Sequence, residues 1–129
     1  MSEMNDIVIE FVEEGNEKVS QLEHNLIDLE KNPTSGALLT EVFRALHTIK
    51  GATSFLGFTK LCTLAHTAEN LLARLRNGTL VMNQEITSAL LSLVDAIREI
   101  LSQIAATGKE GNTDYTSLLD TLNRLQKAK

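Results

Sequence analysis

The residues best placed for chemistry lie in Phe43-Arg44-Ala45-Leu46-His47-Thr48-Ile49-Lys50-Gly51-Ala52-Thr53-Ser54-Phe55-Leu56-Gly57-Phe58, where one histidine stands among small and basic neighbours. A neutral imidazole attacks phosphorus through one ring nitrogen while the other keeps its proton. His47 therefore reads as a nucleophile that accepts a phosphoryl group. The reaction needs a partner that holds the correct tautomer and favours the positive charge developing on the ring. A carboxylate accepting the second N–H does both.

Glu69 is the candidate for that carboxylate. An antiparallel hairpin turning at Gly57 brings it near His47, because the histidine lies ten residues before the turn and the glutamate twelve after it. The alternative for Glu69 is a solvated surface acid. Lys50, one helical turn from His47, is a mobile cation able to screen phosphoryl oxygens, or else an ordinary exposed lysine. A glycine inside a helix gives up about 1 kcal/mol relative to alanine, so Gly51 needs a reason, and clearing space one turn from His47 supplies one. Ser54 extends that open face and leaves room for an incoming catalytic domain, with its hydroxyl available to phosphate. His66 lies one turn before Glu69 at the edge of an apolar stripe, where a histidine on its own reads as a boundary residue. Arg44 and Lys60 add positive charge that the sequence does not place. His24 lacks small and cationic neighbours and reads as a surface or boundary side chain.

These residues need helices to position them, and apolar periodicity supplies helices throughout. The first runs from about 4 to 30, with Met4, Ile7, Val8, Phe11, Val19, Leu22, Leu26 and Leu29 as its stripe. Lys31-Asn32-Pro33-Thr34-Ser35-Gly36 breaks it, and Thr34 or Ser35 caps a second helix over about 35–55. On a helical wheel, Leu38, Val42, Ala45, Leu46, Ile49, Thr53 and Leu56 share one face of that helix, while His47, Gly51 and Ser54 share another with Lys50 beside them. A third helix, about 59–76, carries Leu61, Leu64, Ala65, Ala68, Leu71, Leu72 and Leu75 on one stripe and stops at Asn77-Gly78. Asn83 caps a fourth, about 84–106, with Ile86, Leu90, Leu93, Val94, Ile97, Leu101 and Ile104 inward. The polar stretch over about 107–112 is a linker, and Thr113 or Asp114 caps a fifth helix over about 113–127 with Tyr115, Leu118, Leu119, Leu122 and Leu125 as its apolar side. The expectation is an all-α, up-down four-helix bundle over about 4–106 with an additional fifth helix at its C-terminal end, in a single domain of 129 residues.

Composition narrows the function classes. The apolar share of 43% and charged share of 22% are ordinary for a globular protein with a real core. Net charge is −5, and residues 1–30 carry nine acids against Lys18 alone, so a nucleic-acid-binding role has no basic stripe to rest on. The acidic run is a solvated helix face or a docking surface for a basic partner. No leader or membrane-length apolar run is present, the single Cys62 has no disulfide partner, and the cytoplasm is the expected compartment. Cys62 reads as a small buried core residue. No phosphate-cradling glycine loop and no kinase catalytic motif occurs, so the chain does not itself use ATP.

The order His47, Lys50, Gly51, a small residue at Ser54 and the closing Gly57-Phe58, followed by His66-Thr67-Ala68-Glu69-Asn70-Leu71-Leu72, resembles the histidine phosphotransfer (HPt) domain, and especially the amino-terminal domains of CheA-type chemotaxis kinases. The resemblance covers nearly the whole chain, including an acidic first helix and a fifth helix. It implies that His47 is the phosphoryl acceptor, that Glu69 orients its imidazole, that Lys50 stabilises phosphoryl charge and that His66 joins the hydrogen bonds around them. It also implies that phosphoryl comes from an ATP-binding histidine kinase catalytic domain and passes to an aspartate of a response-regulator receiver domain. No cofactor or metal then belongs to this domain: ATP sits on the kinase, and Mg²⁺ on kinase and receiver. The isolated domain is expected to be a monomer without nucleic-acid or membrane partners.

Two rival readings stand beside this one. A metal-binding bundle is suggested by His47, His66 and Glu69, but di-iron bundles use Glu-x-x-His pairs, and His66-x-x-Glu69 has the reverse order. A non-catalytic helical adaptor or dimerisation module would make the His47 segment structure only.

Overall fold

The computed structural model of the protein describes residues 6–127, and over these the chain forms α1 (Asp6–Lys31), α2 (Gly36–Leu56), α3 (Thr59–Arg76), α4 (Gln84–Thr107) and α5 (Thr116–Gln126). Local chemistry sets most of these limits. The Ser35 hydroxyl accepts the Leu38 N–H at 3.2 Å and starts α2, and Asn83 Oδ1 accepts the Ile86 N–H at 2.8 Å and starts α4. Gly57 ends α2 in the left-handed region, with φ of 83°, and its N–H donates to the Thr53 carbonyl at 2.9 Å. A side chain there would be strained, so this glycine makes the tight α2–α3 hairpin possible.

The helices close into a bundle in which α1 packs on α2 and α4, α2 on α3, and α3 on α4, while α5 lies over α3 and α4. Leu22, Leu26, Leu29, Leu46, Leu61, Leu64, Leu71, Leu72, Leu90, Leu93 and Ile97 have essentially no exposed surface. Each such side chain contributes about 1.5–3 kcal/mol by leaving water. The stripes expected on α3 and α4 are buried at every position named for them. Among the described residues no helix is long and apolar enough to cross a membrane.

Several expectations need correction. Met4 lies outside the described residues, and Ile7 is 55% exposed, because the inward register of α1 passes through Phe11, Val12, Gly15 and Val19. On α2, Leu39 takes the inward position and Leu38 and Leu56 are half-buried. Cys62 is likewise half-buried rather than in the core. Thr107 completes α4, and α5 begins at Thr116, with Tyr115 rather than Thr113 or Asp114 at its cap position. Asp114 instead accepts the Thr116 N–H at 2.9 Å. The intervening stretch makes specific contacts with α3. Glu110 accepts the N–H groups of Lys60 at 3.1 Å and Leu61 at 2.6 Å, which caps the start of α3, where Phe58 supplies no side-chain cap. Lys60 Nζ in turn donates to the carbonyls of Gly111 and Thr113.

Gly15 is the one glycine whose missing side chain lets two helices approach, since a Cβ there would meet Leu101 Cδ2 at 3.1 Å. Gly15→Leu overfills this contact and lowers stability by about 1–3 kcal/mol. In the double variant with Leu101→Ala the new side chain occupies the vacated space. Urea unfolding of the four proteins then gives a double-variant loss smaller than the sum of the single losses; additivity would show that α1 and α4 do not meet here.

Candidate functional site

His47 and Lys50 lie one turn apart on α2, and both face α3 at the level of Glu69. The Glu69 side chain retains 8% of its exposure, and burial of a lone carboxylate costs several kcal/mol. Each oxygen has a donor. His47 Nδ1 is 2.6 Å from Oε2, and Lys50 Nζ is 2.6 Å from Oε1. Burial pushes the Glu69 carboxyl up, but the hydrogen bonds from Lys50 and His47 outweigh it and hold the group below its ordinary value of 4.5. An ionised carboxylate only accepts, so the proton of a neutral His47 ring sits on Nδ1 and the lone pair on Nε2. The His47 side chain is 66% exposed, which leaves the imidazole open to reagents.

The other named residues are distributed unevenly about this centre. Lys50, expected as a mobile cation, is bound to Glu69 and 24% exposed. His66 Nδ1 is 4.0 Å from Glu69 Oε1, close enough to feel its charge but too far for a hydrogen bond. A Cβ on Gly51 would meet nothing within 4 Å, so this glycine answers no packing need within the domain. Ser54 is exposed and borders a shallow groove of about 320 Å³ shared with Cys62, Thr63 and His66. Thr53, on the inward stripe, satisfies its hydroxyl by donating to the Lys50 carbonyl at 2.8 Å. Arg44 faces Glu41 at 3.9 Å, Lys60 is occupied by the α4–α5 connection, and His24 is exposed, 3.5 Å from Asp28. Among the described residues no three of His, Cys, Asp and Glu are grouped so as to hold a metal ion.

Two neighbours escaped the sequence reading. The Phe43 ring stacks against His47, with centroids 6.3 Å apart and planes 8° apart, and the Arg76 guanidinium lies 4.1 Å from the Phe43 ring centre. Phe43 precedes His47 by four residues, a spacing that places side chains together on a helix and was the available signal. Nothing in the sequence marked Arg76, which reaches the stack from the last turn of the neighbouring helix.

Residues 6–107 match the Hpt domain family. The chain is 33% identical to chemotaxis protein CheA of Listeria monocytogenes over 115 residues, covering 89% of this chain and 18% of that protein. It is 36% identical to the sensor histidine kinase CheAY of Helicobacter pylori over 112 residues, covering 87% of this chain and 14% of that protein. It thus spans less than a fifth of the length of these curated relatives. Its fold is similar to the phosphorylated P1 domain of CheA3 from R. sphaeroides, solved in complex with CheY6, with a TM-score of 0.85, 28% identity, and coverage of 95% of this chain and 97% of that one.

The Glu69 geometry has a pH signature. Because its carboxyl is depressed in the folded state, its contribution to stability is complete above the ordinary value of 4.5 and is lost as pH falls through the folded value. Glu69→Gln does not titrate. The stability advantage of the native protein over this variant, measured by urea unfolding, shrinks as pH falls from about 6 to about 3. A gap that stays constant over that range would contradict an ionised, doubly bonded Glu69.

Proposed function

The chain belongs to the Hpt domain family, and from that premise we propose that it is the phosphotransfer domain of a CheA-type chemotaxis kinase, with His47 as the phosphoryl carrier. The observation that carries this reading is the 2.6 Å contact from His47 Nδ1 to Glu69, which leaves Nε2 as the nucleophile at the surface. In the proposed reaction an ATP-binding histidine kinase catalytic domain presents the γ-phosphoryl group. The Nε2 lone pair forms the N–P bond as the bond from phosphorus to the ADP oxygen breaks, and ADP departs with that electron pair. The imidazole becomes cationic, and Glu69, already charged and aimed at Nδ1–H, offsets the new charge without rearrangement. Lys50 holds the other carboxylate oxygen and so fixes the carboxylate that orients the ring.

The second half-reaction follows from the likeness to a domain solved with CheY6. An aspartate oxygen of a CheY-type response-regulator receiver attacks the phosphorus, the N–P bond breaks, and the pair returns to Nε2. The chain has no ATP site of its own under this reading. ATP is the kinase domain's substrate, and Mg²⁺ acts on the kinase and receiver rather than here. The carrier works in the cytoplasm as a unit of a larger kinase.

Intact mass and ³¹P NMR after treatment with a phosphoramidate donor, or with a CheA-type kinase core and ATP, test the assignment. One acid-labile phosphoryl group is expected on the native protein and on His66→Gln, and none on His47→Gln. Glu69→Gln keeps the acceptor but takes up phosphoryl roughly 100-fold more slowly. Retention of the modification in His47→Gln would move the site elsewhere, and an unmodified native protein would favour the adaptor reading. Access can be separated from chemistry at Gly51. Gly51→Leu has open space for its side chain and is expected to keep phosphoramidate reactivity while transfer from the kinase core drops about tenfold or more. Equal effects on both donors would argue against end-on docking across Gly51.

A further inference from the structure

A phosphoryl group on His47 brings up to two negative charges to a surface whose nearest lysine is already committed, since Lys50 Nζ is bound to Glu69 Oε1. The question is which cation meets those charges. Four of the five arginines are engaged with oxygen acceptors: Arg44 faces Glu41, Arg74 donates to the Gln126 carbonyl, Arg98 to Glu23 and Arg124 to Glu85. Arg76 differs. Among the described residues no oxygen acceptor holds its guanidinium, which rests on the Phe43 ring at 4.1 Å, on an exposed residue at the end of α3. Stacking on an aromatic face leaves the guanidinium N–H groups directed outward in their own plane, free for a bidentate acceptor.

Phe43 stacks in turn on His47, so the separations of 4.1 and 6.3 Å put the guanidinium within about 10 Å of the imidazole centre. We propose that Arg76 is a phosphoryl-binding residue: it rests on Phe43 while His47 is unmodified and moves its fork onto the phosphoryl oxygens once His47 is loaded. This rests on the carrier reading of His47. In the loaded state the guanidinium exchanges a weak contact with a ring for charge-assisted hydrogen bonds to a dianion, which stabilises the phosphorylated form. The displacement also bares the Phe43 face, so the surface beside His47 differs between the two states in charge and in apolar area.

The test uses the full chain, phosphoramidate as donor and ³¹P NMR as readout, with Arg76→Gln, Arg76→Lys and, as a control for net charge close to His47, Arg44→Gln. At equilibrium with phosphoramidate and ammonia, the ratio of phosphorylated to free Arg76→Gln is expected to be about three- to tenfold lower than for the native protein. The pH midpoint of the phosphohistidine ³¹P shift rises by about half a unit or more in Arg76→Gln, because the dianion has lost its cation. Arg76→Lys falls between, and Arg44→Gln stays close to native. The ionisation midpoint reports on the phosphoryl group itself, so a merely structural loss would not move it. If native protein is phosphorylated and Arg76→Gln matches it in both measurements, or if Arg44→Gln has an equal effect, the assignment of Arg76 is overturned while the carrier reading stands. If the native protein takes up no phosphoryl group on His47, both fall together.

Discussion

Keeping the Glu69 carboxylate charged while it is almost out of water is the condition on which the rest of the site depends. A buried carboxylate without partners would take up a proton, lose its hold on Nδ1 and release the His47 ring to either tautomer. Two donors, one per oxygen, prevent this. Lys50 and His47 therefore have different duties toward the same anion. Lys50 keeps it ionised, and His47 uses it. Lys50 is thus linked to His47 through the carboxylate they share, an arrangement that its spacing from His47 alone does not reveal.

The fold meets that condition by giving α3 two jobs. Its leucine and alanine stripe fills the bundle core, and Glu69 stands beside that stripe, close enough to be shielded and far enough out to meet α2. The hairpin at Gly57 fixes the register between the two helices. Because each side chain on α2 repeats its direction after three or four residues, His47 and Lys50 converge on one place opposite α3. The inward stripe of the same helix, through Leu39, Val42, Leu46 and Ile49, packs it into the core on the side away from the imidazole.

Much of this was legible in the sequence because it followed from periodicity. The α3 and α4 stripes, the cap at Asn83, a cap at one of Thr34 and Ser35, and the hairpin bringing Glu69 to His47 all rest on local rules. Most of what the sequence did not show depends on contacts between helices. Ile7 carries the right hydrophobicity in α1, yet which of its apolar residues face inward is decided by packing against α4, where Gly15 meets Leu101. Lys50 reads as a free cation until the carboxylate opposite it is seen. Phe43 and Arg76 meet through rotamers on two helices, and no spacing in one chain segment encodes that. The start of α5 shifted because Asp114 turns toward Thr116 in a local loop before the helix begins.

The contact between Glu110 and the first amides of α3 alters where the working unit ends. The Hpt family match stops at residue 107, yet the helix that bears Glu69 has its opening turn completed by a carboxylate beyond that point. Residues that look like a tether between α4 and α5 are thus the missing first cap of α3, supplied from about fifty positions downstream. Counted by its hydrogen bonds, the helix that carries Glu69 draws on residues past the end of the family match.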